Sequence, residues 1–318
     1  MRIGIDIMGG DFAPYHIIQG AIDAQVQLPG DVRLALFGDK EQITAYCEQV
    51  HFDPAPFDLV HTTEVIDMND HPAKAFQQKA DSSITVGFEA LSAGKIDGFA
   101  SAGSTGAMLV GAMYTVKPIE GIIRPCIATE FPLLTGSRAL LLDAGLNADC
   151  RPDVLYQYGI LGAIYAHDMN GLDNPRVALL NIGAEEEKGN LVTKEAYKLM
   201  HGTTDFNFVG NIEANHLFSG DVADVIITDG FVGNVVLKQA EAIYALSKKL
   251  KVDNDYFNRF NYELYGGTPV LGVNAPVIIG HGMSSPLAVT NMIRQTEQAI
   301  RKNLIPNIKQ ALRHQNYS

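Results

Sequence analysis

The feature that most constrains this chain is a unit that occurs six times: a short apolar run, a loop of Gly, Asn, Asp or Ser, then a helical pattern. The loops fall at residues 8–11, 101–106, 143–150, 183–190, 229–234 and 280–286. A strand buried on both faces reads as a continuous apolar run rather than an alternating one. Strands that alternate with helices imply a parallel sheet covered by helices on both faces. The expected fold class is α/β, with a largely parallel sheet. Loops that follow parallel strands open at one edge, and in doubly wound sheets ligands sit at that edge. Six such loops could line one cleft, and their convergence weighs more than any one of them. Neither a tandem repeat nor a low-complexity linker interrupts the pattern. The expectation is one α/β/α domain over residues 1–318 with a helical excursion near 235–265.

Along the chain, Ile3–Ile7, Val32–Phe37, Gly98–Ser101, Cys126–Thr129, Ala139–Leu142, Val177–Ile182, Phe206–Val209, Val225–Thr228 and Val277–Ile279 read as strands. Residues 210–215 read as a polar loop, Thr135-Gly136-Ser137 as a hairpin turn, and Gly266-Gly267-Thr268-Pro269 as a turn. Helices are expected from Ala107 to about Val116, from Pro152 to Tyr165, from Lys194 to His201, and from Val235 to about Leu250. A single closing helix is expected from residue 286 toward Leu312. Pro152 suits a first helical turn, where its missing N–H has no partner to lose.

Each loop has a functional and an ordinary reading. Met8-Gly9-Gly10-Asp11 lets backbone approach a ligand next to a helix N-terminus, or it is a tight turn with Asp11 as a cap. Gly103-Ser104-Thr105-Gly106 offers N–H donors, hydroxyls and little bulk to a phosphate, or simply allows close helix–strand packing. Glu185-Glu186-Glu187-Lys188-Gly189-Asn190 is a dense polar cluster behind a buried strand, or a charged helix start with a solvated lysine.

The totals remove several classes of function. A formal charge of −12 argues against broad binding to nucleic acid, which needs clustered Lys and Arg. The three cysteines, Cys47, Cys126 and Cys150, form no CxxC pair and suit reduced thiols in a cytosolic protein. The nine histidines never fall at HxxxH spacing, so no metal site is expected. Asp6 and Asp11 come too early for a signal peptide, and no apolar run approaches the ~18 residues of a membrane span. There is no GxxxxGK[ST], no GxGxxG after the first strand and no GxSxG, so Walker-type, standard dinucleotide and serine-hydrolase readings fail. What is left is a set of anion-binding loops with one lysine and several asparagines. That suits a reaction in which phosphate is itself the nucleophile. The protein then has to position it and stabilise a developing oxyanion.

Seven blocks carry a resemblance: DIMGGDFAP (6–14), SAGSTGAM (101–108), GIIRP (121–125), LLDAGLNADC (141–150), NPRVALLNIGAEEEKGN (174–190), TDGFVGNVVLK (228–238) and YGGTPVLGVN…GHG (265–282). Together they resemble the phosphate acyltransferase family of bacterial phospholipid synthesis, over nearly the whole chain. The EEEKGN and DGFxGN blocks are the specific ones. The resemblance implies transfer of a fatty acyl group from acyl carrier protein to inorganic phosphate, giving acyl phosphate. It also implies a Rossmann-like α/β/α sandwich, similar to the isocitrate dehydrogenase/phosphotransacetylase-like fold, and no cofactor. A homodimer, a cytoplasmic location and a downstream glycerol-3-phosphate acyltransferase as metabolic partner are further implications. The family's active-site lysine falls on Lys188 and its asparagine on Asn234. By the same resemblance, Gly9, Gly10, Asp11, Gly103, Ser104, Thr105, Gly106, Asn147, Asp229 and His281 are substrate-binding residues, with His281 a proton donor or a structural histidine.

The chain departs from the family in three places. Ser104 stands where the family has Asn in GNTG, and Leu146 where it has Ala in GAN. The apolar and basic helical insertion before YGG is shortened, which leaves Tyr256, Phe257 and Phe260 near Arg259 as the residues for weak peripheral contact with the inner face of a membrane. Three alternatives remain: a phosphotransacetylase-like enzyme using acyl-CoA, an NAD-linked dehydrogenase of the same broad fold, and a non-catalytic lipid-regulatory module.

Overall fold

The computed structural model describes residues 1–315. The chain divides into two compact units, Met1–Ile119 with Tyr262–Ile305, and Glu120–Asn261 with the chain from Pro306. It begins in the first unit with β1 (Arg2–Asp6), α1 (Tyr15–Gln27), β2 (Arg33–Gly38), α2 (Lys40–Gln49), β3 (Phe57–His61), α3 (Pro72–Gln78), α4 (Ser83–Ser92), β4 (Gly98–Ser101) and α5 (Thr105–Val110). The second unit holds β5 (Cys126–Pro132), β6 (Arg138–Leu142), α6 (Pro152–Asn170), β7 (Arg176–Asn181), α7 (Leu191–Met200), β8 (Asn207–Glu213), β9 (Val225–Ile227), α8 (Gly230–Lys249) and α9 (Asp255–Asn258). The chain returns to the first unit for β10 (Thr268–Leu271), β11 (Val277–Ile279) and α10 (Pro286–Arg301). It leaves along α11 (Leu304–Gln315).

In the first unit the strands lie in the order β3-β2-β1-β4-β11-β10. All neighbours are parallel except β10, which runs antiparallel to β11. Ile3, Ile5, Leu34 and Leu36 are fully buried and pack with Ile17, Ile18, Val289 and Ile293 of α1 and α10. Burial of each such side chain stabilises the fold by about 1.5–3 kcal/mol. In the second unit the order is β5-β6-β9-β7-β8. Again one strand, β5, is antiparallel and the rest are parallel. Leu141, Ala178 and Ile226 are fully buried in its core, and Tyr158 of α6 is also fully buried. The mostly parallel α/β architecture expected from the six strand–loop–helix units is present in both units.

Four local expectations change. The chain from Gly230 is helical, so residues 230–234 form the first turns of α8 rather than a loop. Asp229 caps that helix, its Oδ1 accepting from the Val232 N–H at 2.8 Å, and a capped start holds glycines in a helix despite their low propensity. Residues 210–213 are not loop but the end of β8, because Asn211–Glu213 pair with Leu179–Asn181 beyond a register shift, with Gly210 at φ +97°. Thr268–Leu271 is a strand, β10, where a turn was expected to run on. The closing helix is two helices, since Asn303 at φ 55° ends α10 in a left-handed residue that no helix continues through.

No helix among the described residues is long and apolar enough to cross a membrane. The aromatics set aside for lipid contact are half-buried. Tyr256 donates to the Pro132 carbonyl at 3.3 Å, and Phe260 meets Phe218 edge-on at 5.4 Å, with Phe218 in turn 5.1 Å from Phe131. Arg259 donates to the carbonyls of Leu133, Gly136 and Ser137. These side chains tie α9 to the β5–β6 hairpin.

Candidate functional site

Three of the six loops follow β1, β4 and β11, which are adjacent and mutually parallel. The loops therefore leave the same edge of the first unit's sheet. Gly9 and Gly103 meet there backbone to backbone. A Cβ on Gly9 would overlap the Asp6 carboxylate and come within 2.7 Å of Gly103 Cα. No other residue allows that crossing. The Asp11 N–H donates to the Gly282 carbonyl at 2.8 Å, which joins the third loop to the first. Ser104 is buried and caps α5, so its hydroxyl accepts from Ala107 N–H at 3.4 Å, while Thr105 is exposed in the first turn. His281 is exposed. Its Nδ1 accepts from the Met283 N–H at 3.1 Å and its ring lies 4.8 Å from that of Tyr262. The residues expected from this half of the chain, Gly9, Gly10, Asp11, Gly103, Ser104, Thr105, Gly106 and His281, thus share one sheet edge.

The second unit repeats the arrangement. Its polar stretches follow β6, β9 and β7, again adjacent and parallel. Asp143, fully buried at the end of β6, organises the first of them. Its Oδ1 accepts from the N–H groups of Gly145 and Leu146, both at 3.1 Å, and its Oδ2 from the Asn147 N–H at 2.6 Å. Asn147 points inward. Its Nδ2 has Pro125 O, Asp143 Oδ2 and Tyr158 Oη within 2.8–3.0 Å, and its carbonyl accepts from the Gly230 N–H at 2.7 Å. Those contacts make Asn147 the peg that fixes the start of α8 to the 143–147 turn. Asn234, the fifth residue of α8, is exposed and lies against Gly145, at φ +136°. Asp229 is spent as the cap of α8.

Lys188 lies in the loop after β7, the strand next to β9. Its side chain is 46% exposed, with Nζ 4.0 Å from Glu185 Oε2. Gly183 leaves room for its stem, since a Cβ there would come within 2.6 Å of Lys188 Cγ. Glu185, Glu186 and Glu187 are exposed and precede α7 rather than forming its first turn; Asn190 caps that helix, accepting from Thr193 N–H at 2.9 Å. An ion pair this open contributes little to stability, so the lysine is available to an anion. Two residues that sequence reasoning passed over hold the loop from below. Asn211 Nδ2 donates to the Glu185 carbonyl at 2.8 Å. Asn181 Nδ2 donates to the Lys188 carbonyl at 3.2 Å and to Asn211 Oδ1 at 3.1 Å. Asn211 lay in a stretch that read as loop and gave no signal in the sequence; for Asn181 the signal was a polar residue closing the apolar β7 run.

The same holds for Asp6 and Ser101, both fully buried and hydrogen-bonded at 2.6 Å beneath the Gly9–Gly103 crossing. Burial pushes the Asp6 carboxyl above its ordinary range, against the hydrogen bonds from Ser101, Ser83, Met8 and Gly9. Burial also pushes up all three thiols, Cys150 to about 11, so none is a thiolate near neutral pH. Among the described residues no group of three or more His, Cys, Asp or Glu is placed to hold a metal ion.

Known proteins with related sequences bear on this chemistry. Residues 1–254 match the family described as fatty acid synthesis protein. The chain is 39% identical to the phosphate acyltransferase of Geobacillus sp. (strain WCH70), with 100% of both chains covered. It is also 39% identical to the phosphate acyltransferase of Thermoanaerobacterium thermosaccharolyticum, over 98% of this chain and 97% of that one. In structure it resembles a phosphotransacetylase from Streptococcus pyogenes, with TM-score 0.67, 17% identity, and 95% and 94% of the two chains covered. A branched-chain phosphotransacylase from Enterococcus faecalis has TM-score 0.60 and 15% identity, over 94% of this chain and 99% of that one. At that identity these likenesses show the fold, which is the one the sequence led us to expect.

Proposed function

The chain belongs to the phosphate acyltransferase family, and from that premise we propose that it moves a fatty acyl group from acyl-acyl carrier protein to inorganic phosphate. The observation that carries the reading is full-length identity of 39% to a phosphate acyltransferase, with Lys188 exposed on a loop that Asn181 and Asn211 brace.

In this reaction a phosphate oxygen attacks the thioester carbonyl carbon. A C–O bond forms, the carbonyl electron pair moves onto oxygen, and its return breaks the C–S bond. Phosphate is already an anionic nucleophile, so the protein supplies placement and charge rather than a strong base. We assign Lys188 to hold phosphate and offset its charge, and Asn234 to donate an amide N–H to the carbonyl oxygen as it becomes an oxyanion. Asp229 acts through the helix it caps, and Asn147 through the turn it pegs. For the first unit we assign substrate contact to Gly9, Gly10, Asp11, Gly103, Ser104, Thr105 and Gly106, and protonation of the leaving thiolate to His281. We further propose a cytoplasmic homodimer that passes acyl phosphate to a glycerol-3-phosphate acyltransferase.

The deciding experiment mixes the protein, phosphate and acyl-acyl carrier protein, then traps acyl phosphate with hydroxylamine. Phosphate-dependent acyl hydroxamate is expected. Product from acyl-CoA but none from the carrier-bound substrate would replace this reading by the phosphotransacetylase-like one.

A further inference from the structure

The geometry points to Asp6 as a positioning residue for phosphate: through the Ser101 hydroxyl it sets the 101–106 loop that the proposed function assigns to substrate contact. The inference rests on that reading for the ligand, and on the following contacts for the geometry. Asp6 is the last residue of β1 and has no exposed surface. Its Oδ2 accepts from Ser101 Oγ at 2.6 Å, and its Oδ1 accepts from the Met8 N–H at 2.9 Å. Ser101, the last residue of β4, is equally buried, and its Oγ accepts in turn from the Gly103 N–H at 2.9 Å. One carboxylate therefore orders both loops, the first directly and the second through a hydroxyl whose proton it fixes.

That fixing has a consequence for direction. A serine hydroxyl rotates to suit its partners. With Asp6 as its acceptor, the Ser101 proton is committed, and a lone pair faces Gly103. The Gly103 N–H is thereby turned into the protein, and Gly103 is held where a Cβ on it would come within 3.0 Å of Gly9 Cα. The chain beyond, from Ser104 to Gly106, starts from that fixed point. A buried carboxylate with hydrogen-bond donors on every named side and no cationic partner among them is costly to keep for packing alone. Holding two loops in one register is a use that explains it.

Ser83 provides the control. It also donates to Asp6, but its helix, α4, carries none of the loops in question. We expect Ser101→Ala to raise the KM for phosphate about tenfold, the effect of leaving a buried N–H without its acceptor. The KM for acyl-acyl carrier protein and kcat at saturating phosphate should stay within about twofold. Ser83→Ala should lower the melting temperature and leave the phosphate KM unchanged. Asp6→Asn should behave as Ser101→Ala. Should Asp6→Asn not fold, the two serine variants decide the matter. Equal phosphate KM in Ser101→Ala and the unaltered protein, or equal shifts in both serine variants, would overturn the inference. If the unaltered protein makes no acyl phosphate at all, the proposed function is what fails.

Discussion

Gly145 lies against the amide of Asn234 so closely that a Cβ on the glycine would come within 2.9 Å of Nδ2. The backbone there is at φ +136°, a region L side chains rarely adopt. The turn built on Asp143 thus sets where the Asn234 amide can stand. If that amide stabilises the oxyanion, Asn234→Ala should lower kcat about 10²–10³-fold, as loss of one oxyanion donor does elsewhere. Gly145→Ala should lower it in the same direction by displacing the amide. Steady-state kinetics on both variants test this; an unchanged kcat in Asn234→Ala removes the residue from the chemistry.

Lys188→Ala should abolish acyl-phosphate formation while the melting temperature stays within a few degrees. The side chain is 46% exposed and the Glu185 carboxylate is 4.0 Å away, so little stability depends on it. Near-normal turnover would sink the assignment.

Asn211 is 6% exposed and its amide spans the Glu185 carbonyl and the Asn181 side chain. Asn211→Ala should cost about 1–3 kcal/mol, because it orphans a carbonyl and an amide at once. It should also raise the phosphate KM by loosening the loop that carries Lys188. Thermal unfolding and phosphate titration read the two effects separately.

Arg176 and Asp224 are paired at 2.9 Å, and the arginine also donates to the carbonyls of Gly220 and Asp221. Burial pushes the Asp224 carboxyl up, but the hydrogen bonds and charge of Arg176 outweigh it and hold the carboxyl below its ordinary value. A depressed carboxyl contributes stability above its unfolded pKa of about 3.9, and that contribution is lost as pH falls through the folded value. Arg176→Leu should therefore destabilise the protein by about 2 kcal/mol at pH 7 and less at pH 3. A loss of equal size at both pH values would contradict the ion-pair explanation.

Neither compact unit is a continuous stretch: the first is made from Met1–Ile119 and Tyr262–Ile305, with the second inserted between. We expect residues 1–318 to unfold as one domain, in a single calorimetric transition. Two resolved transitions would show that the units fold independently.

The sequence by itself determined the layers, because buried parallel strands and amphipathic helices write different apolar periods. Each of β1, β4, β6, β7, β9 and β11 was legible as an apolar run closing on small or polar residues. The specific blocks at 185–190 and 229–234 named the family. Element ends were less legible. The glycines at 230 and 233 looked like loop, and only the Asp229 cap and the contact with the 143–147 turn make them helix. Residues 210–213 looked like loop because they are polar, yet Asn211 is polar in order to brace the lysine loop.

Tertiary structure alone decided which polar residues are left exposed and which hold the others in place. Asn147 and Asp229 sit in motif positions, but their hydrogen bonds are spent on the turn and the helix start. Asp6, Ser101, Asn181 and Asn211 do the same work from inside strands. Residue type and spacing record a side chain's chemistry. Its direction and its partners come from strands that sequence places far apart, as with Asp6 and Ser101, 95 residues distant and 2.6 Å apart.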